Sequence, residues 1–159
     1  ANVTVQVRVQ EDDFDLGREL AALRERLGGA VGAVASFVGL VRDMRDAGDV
    51  SGLYLEHYPG MTEDSIAAII AQAQERWPLM DVLVIHRVGQ LHPGDQIVLV
   101  LVGAGHRPAA FAACEFVMDY LKTDAVFWKR EAVDGAEHWI ESTADDGRRR
   151  RQWESGESG

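Results

Sequence analysis

The sequence predicts an α+β fold in one domain, with antiparallel strand pairing outweighing parallel pairing. Three observations point there. The apolar period switches repeatedly between two and 3.6, giving the order strand, helix, two strands, helix, two strands, helix, two strands. Strands outnumber helices, and two neighbouring strand pairs have connections short enough for hairpins, unlike the strict alternation of a doubly wound parallel sheet. The chain has 159 residues, 47% of them hydrophobic, enough for one core without a disulfide or metal staple.

Each element has a local cause. Val3, Val5, Val7 and Val9 alternate with polar residues, as in a strand with one buried face. Leu16, Leu20, Leu23 and Leu27 recur at helical spacing within Phe14 to Leu27, and Gly28-Gly29 ends that helix because glycine accepts a positive φ. From Ala30 to Val41 the residues are nearly all small and apolar, which predicts a buried strand over Val34 to Arg42 and then a mobile polar loop at Asp43 to Asp49. Leu53 to Tyr58 reads as the next strand, ended by Pro59-Gly60. Thr62 is the expected cap of the second helix, with Met61 and Ile66 as a hydrophobic staple, and Pro78 stops that helix after Trp77.

Val82 to Val88 and Gln96 to Val102 are β-branched runs joined through Gly89 to Asp95, hence a pair of antiparallel strands. Pro108 suits the first turn of a third helix, which Phe111, Cys114, Met118 and Leu121 continue to about Thr123. Asp134-Gly135 favours a tight hairpin turn between Phe127 to Val133 and Ala136 to Glu141. The domain is therefore residues 1–141. Residues 142–159, rich in Asp, Gly, Ser and Glu and carrying the run Arg148 to Arg151, read as a flexible tail.

Charge and composition exclude several functions. The net charge of −10 repels a phosphate backbone, against general binding of nucleic acid or an anionic membrane. A single cysteine rules out an internal disulfide framework, and its place on the apolar face of the third helix makes Cys114 a buried, inert thiol. His57, His86, His92, His106 and His138 show no metal-ligand spacing, so neither a metal nor a cofactor is expected. Gly28, Gly29 and Gly32 precede a strand instead of following one, unlike a dinucleotide fingerprint. With no signal-peptide pattern and no apolar run near the ~20 residues of a membrane span, the default location is the cytoplasm.

The basic residues are more informative. Of 16, only Lys122 and Lys129 are lysines, and both fall in one short stretch. Lysine, unlike arginine, can lose its proton when desolvated and act as base or nucleophile, which makes the pair candidate catalytic groups. The plain alternative is two solvated lysines, Lys122 complementing the dipole at a helix C-terminus. His106 and Arg107 lie behind two glycines at a helix start, where amides, dipole and guanidinium can hold an anion. Arg42, ending an apolar strand, is either a pocket cation or the first solvated residue of a loop.

Several segments then match a known family in order and spacing. Leu55-Glu56-His57-Tyr58-Pro59-Gly60-Met61, Ile85-His86-Arg87-Val88-Gly89, Pro93-Gly94-Asp95, His106-Arg107, Met118-Asp119-Tyr120-Leu121-Lys122-Thr123 and Phe127-Trp128-Lys129-Arg130-Glu131 resemble the catalytic large subunit of molybdopterin synthase. The likeness runs from about Gly32 to Ile140. It implies an α/β hammerhead-like fold with an added antiparallel β subdomain, and a cytoplasmic sulfurtransferase of molybdenum cofactor biosynthesis. The implied reaction converts cyclic pyranopterin monophosphate to the molybdopterin dithiolene. The sulfur donor is a small ubiquitin-like carrier subunit bearing a thiocarboxylate on its C-terminal glycine, whose tail enters the large subunit. Two large and two small subunits assemble as a heterotetramer around a homodimer of large subunits.

Carried over by position, the resemblance assigns Lys122 and Lys129 as catalytic, and Arg42, His106, Arg107, Arg130 and Glu131 as substrate-binding. One departure stands out: the family often has lysine where this chain has Leu40, and Arg42 or the arginine run of the tail is the expected substitute. Two other classes fit the residues alone. One is a non-catalytic module binding a pterin phosphate or a carrier tail, the other a lysine enzyme forming a Schiff base with a carbonyl substrate.

Overall fold

Leu79–Arg87 and Gln96–Ala104 are apolar on both faces, and the architecture follows from the need to cover both. The structure, a computed structural model, describes residues 2–43, 50–125, 127–133, 136–140 and 153–154. Its elements are β1 (Thr4–Gln10), α1 (Leu16–Leu27), β2 (Ala33–Leu40), β3 (Val50–His57), α2 (Met61–Arg76), β4 (Leu79–Arg87), β5 (Gly89–Leu91), β6 (Gln96–Ala104), α3 (Arg107–Leu121), β7 (Phe127–Val133) and β8 (Ala136–Ile140). Four strands form one sheet in the order β1-β4-β6-β2, and four form a second in the order β5-β3-β7-β8. The second sheet is antiparallel throughout. In the first, β4 and β6 are antiparallel as the sequence implies, while β1 runs parallel to β4.

The strand period of two divides the core. Val82, Val84, Val98, Val100 and Val102 face α2 and α3, burying against Ile66, Ile70, Phe116 and Val117. Leu83, Ile85, Leu99 and Leu101 point the other way, against Leu23 of α1 and Phe14. The first sheet is thus a middle layer between α1 and the α2–α3 pair, which is why its central strands read as unbroken apolar runs. Asp15 caps α1 through its side chain, accepting from the Arg18 amide, and Gly28 ends that helix at φ 58°.

Five expectations need correction. The strand expected to be buried, Val34 to Arg42, is the edge strand β2, where Ala35 is buried but Phe37 is 41% and Leu40 56% exposed. Thr62 does not cap α2: Gly60 does, at φ 85°, because its amide donates to Glu63 Oε1 at 2.9 Å. Thr62 is instead fully buried with its Oγ1 accepting from the Tyr58 amide at 3.0 Å, and Met61 is 62% exposed, so no staple forms. Phe111, read as part of the apolar face of α3, is 65% exposed. The flexible-tail reading fails at Trp153, whose ring is 2% exposed within the core, since indole area outweighs the polarity of the residues around it. Apart from Trp153 and Glu154, the tail lies outside the described residues, as do the Asp134-Gly135 turn and most of the Asp43 to Asp49 loop.

Gly32 is required by a close approach. A Cβ there would lie 2.0 Å from the carbonyl oxygen of Gly105, and the Gly32 amide already donates to Ala104 at 2.9 Å. Neither backbone can give way, so Gly32→Ala is expected to cost about 1–3 kcal/mol of stability. Thermal melting checks this, and an unaltered midpoint would mean the two segments separate freely.

Candidate active site

Because β2 is an edge strand and α3 packs only part of its width, an apolar groove is left between them. The groove has a volume of about 640 Å³. β2 contributes Ala35, Ser36 and Phe37, while α3 contributes Phe111, Cys114, Met118 and Lys122, spaced three or four residues apart along one stripe. Glu115 and Asp119 add carboxylates to its α3 wall. The slot is apolar along most of its length and ends at the amine of Lys122, which is exposed and has no side-chain partner among the described residues.

Strand direction brings Arg42 to the same end. β2 starts beside Ala104, where β6 leads into α3, and finishes beside Gln96. α3 returns over the sheet in the direction of β2, with Cys114 Sγ 4.0 Å from the Val100 carbonyl. Arg42, two residues beyond β2, therefore stands towards the C-terminal end of α3. Its backbone is fixed: the Val41 amide donates to Asp95 O at 2.9 Å, and the Gly94 amide donates to Val41 O at 2.7 Å. Gly94 turns at φ 91° and the Asp95 carboxylate accepts from the His92 amide at 2.8 Å. The Pro93-Gly94-Asp95 segment thus holds the strand end that carries Arg42.

His106 and Arg107 are elsewhere. His106 caps the N-terminus of α3 without a side-chain capping bond, and both residues are exposed. The 15-residue helix separates them from Lys122, and at a rise of about 1.5 Å per residue both stand roughly 22–24 Å away from it. His106 borders a separate cavity of about 480 Å³ with Val3, Trp77, Leu79 and Ala109. One chain does not bring His106 and Arg107 together with Lys122. Lys129, Arg130 and Glu131 lie on β7 at the register positions of Leu55, Tyr54 and Leu53, next to the segment that leaves α3.

The groove thiol is chemically quiet. Burial pushes Cys114 up to about 11, with the neighbouring Glu115 carboxylate adding to the shift. Because the folded value lies above the ordinary 9.0, the stability that this thiol contributes is intact below pH 9 and is lost as pH rises towards 11. The alkaline fall in stability is expected to be shallower in Cys114→Ala, measured by urea unfolding between those pH values; parallel curves would show that the thiol does not titrate there.

Other motif residues build the frame instead of the groove. The Arg87 guanidinium donates to Glu11 O at 3.0 and 3.1 Å and to Gln96 O at 2.9 Å, tying the segment after β1 to the central strands. Phe37, Phe111, Met118 and Asp119 were not singled out as site residues from sequence. Phe111 and Met118 look like core at helical spacing; Met118 is indeed buried and lines the groove from the core, and only the exposure of Phe111 departs from that pattern. Among the described residues no group of three or more His, Cys, Asp or Glu side chains could hold a metal.

Fold and groove define a class: an α+β protein with a layered mixed sheet, a second antiparallel sheet, and a lysine-ended slot between edge strand and helix. Residues 9–124, well over half the chain, match the family model described as MoaE protein, and the chain belongs to the MoaE family. It is 56% identical over 147 residues to the molybdopterin synthase catalytic subunit of Ralstonia nicotianae, covering 92% of this chain and 83% of that one. Among solved structures it is similar to molybdopterin cofactor biosynthesis protein E from Burkholderia multivorans, with TM-score 0.81, 53% identity, and 95% and 97% of the two chains covered. Molybdopterin synthase from Staphylococcus aureus superposes with TM-score 0.74 at 27% identity, covering 84% of this chain and 95% of that one.

Proposed function

We propose that this chain is the catalytic large subunit of a molybdopterin synthase and works in molybdenum cofactor biosynthesis, in the cytoplasm. The observation that carries this reading is the apolar groove ending at Lys122, in a chain of the MoaE family. A slot lined by Phe37, Phe111 and Met118 suits an extended, small-residue protein tail better than a charged pterin. The carrier's C-terminal thiocarboxylate would reach the lysine end, where Arg42 also lies.

The chemistry follows from what meets there. Cyclic pyranopterin monophosphate carries a phosphate that needs cationic anchors, a role for Arg42, Arg107 and Arg130. Each sulfur addition breaks the carrier's C–S bond and forms a C–S bond on the substrate. It also needs a proton donor or acceptor near the reacting carbons, which Lys122 and Lys129 supply. Either amine can also accept the carrier's acyl group before water releases it as a carboxylate. Lys122 is exposed in the free chain, so the desolvation that makes a lysine reactive comes when the tail fills the groove and excludes water. His106 and Arg107 stand a helix length from Lys122, so joint contact with one substrate requires a second copy of the chain. A homodimer of large subunits, each holding one small subunit, meets that requirement.

The test is the purified reaction with cyclic pyranopterin monophosphate and thiocarboxylated carrier, read as the oxidised fluorescent pterin. Product is expected, and none when the carrier ends in a carboxylate. A complex that forms without giving product would replace this reading with a non-catalytic binding module.

A further inference from the structure

Chain beyond β8 returns to the body at Trp153. Its ring sits between α2 and α3, edge-on to Trp77 at 5.7 Å and to Phe116 at 5.5 Å. Its carbonyl accepts from Arg76 Nη2 at 3.0 Å, and the same guanidinium lies 4.9 Å over the Phe116 ring. Its Nε1–H donates to Asp119 Oδ2 at 2.5 Å. Apolar packing accounts for the ring but not for this last bond, whose acceptor is a carboxylate only 7% exposed. A hydrogen bond to an ionised acceptor is short, strong and directional, so it fixes how that carboxylate is turned. Asp119 also borders the groove one helical turn before Lys122, and side chains three apart on a helix are neighbours.

We propose that Trp153 is a positioning residue for Lys122: by holding the Asp119 carboxylate back in the core, it keeps that carboxylate from swinging along α3 and drawing the Lys122 amine out of the groove. The inference rests on the sulfur-transfer reading of the groove. It makes the C-terminal segment part of the catalytic apparatus without placing any of it against substrate.

Trp153→Phe keeps an aromatic ring and removes the N–H. In the complete two-subunit enzyme its kcat is expected to fall about ten- to a hundredfold, the scale of small misplacements of reacting groups, with KM for the carrier unchanged. Phe116→Leu, which loosens the same aromatic cluster without touching the hydrogen bond, is expected to lose thermal stability and keep kcat. Adding Asp119→Ala to Trp153→Phe should restore part of the lost kcat, because the carboxylate that draws the amine away is then gone. A kcat within twofold of wild type in Trp153→Phe, an equal loss in Phe116→Leu, or a double variant no more active than Trp153→Phe would each overturn the proposal.

A second readout separates this proposal from the function beneath it. The sequence has two lysines, so reductive ¹³C-methylation gives two side-chain signals, assigned with Lys129→Arg. The Lys122 signal should shift in Trp153→Phe and stay in place in Phe116→Leu, even if the wild type transfers no sulfur. A Lys122 signal unmoved by Trp153→Phe would refute the positioning role independently of activity.

Discussion

Lys122→Ala is expected to lower sulfur transfer at least about 100-fold, the lower end of what a positioned proton-transfer group contributes. The fold should barely respond. Lys122 is exposed and caps the C-terminus of α3, where a cation adds about 0.3–1 kcal/mol through the helix dipole. Activity and stability therefore separate at this residue. Lys122→Arg distinguishes two roles for the amine: arginine restores positive charge but not a group able to give up a proton near neutral pH. A fully active Lys122→Arg would reduce Lys122 to an electrostatic anchor, and a fully active Lys122→Ala would remove it from the mechanism. Single-turnover assays on folded, carrier-bound protein decide between them.

Arg26→Ala is expected to have the opposite profile, a large loss of stability from a position far from the groove. Asp81 of β4 is wholly buried, and its two carboxylate oxygens accept from Arg26 Nε at 3.0 Å and Nη2 at 3.2 Å. Truncating the arginine leaves an uncompensated charge between α1 and the central sheet, at a cost of about 3–5 kcal/mol. Replacing both partners, Arg26→Met with Asp81→Leu, should recover most of that loss because no buried charge then remains. Urea unfolding of the single and double variants measures both. A single variant within about 1 kcal/mol of wild type would mean that Asp81 reaches another partner or water.

Most of the secondary structure was legible because its causes are local. Leu16, Leu20, Leu23 and Leu27 mark a helix by spacing alone, and Gly28 ends it by conformation. The doubly covered strands β4 and β6 announce themselves as apolar runs. Edge or centre is a non-local property, so Ala30 to Val41 looked equally apt for a buried strand. β5 has three residues, too few to show a period, and it appears only because it pairs with β3.

The candidate site divides in the same way. Lys122 and Arg42 could be picked out by residue type and by family resemblance, and strand direction brings them to one end of the groove. The groove itself could not be read, because Phe111 and Met118 have the spacing of core residues and the missing neighbour that leaves a slot there has no trace in their own sequence. Trp153 was hidden for a related reason. A single tryptophan in a polar segment has no period, and its partners Asp119, Phe116 and Trp77 lie far away in the chain.

The parallel pairing of β1 with β4 bears on how the chain folds. Thr4 is set against Asp81, 77 residues later, whereas β4 and β6 are joined by the short segment after Arg87. Closing the longer loop is entropically dearer and reaches its reward later, so the β4–β6 pair is the expected nucleus and β1 a late arrival. During synthesis β1 must then wait, unpaired with β4, until that strand has been made, exposing its valine face in the meantime. Hydrogen exchange during refolding should protect the amides of β4 and β6 before those of β1.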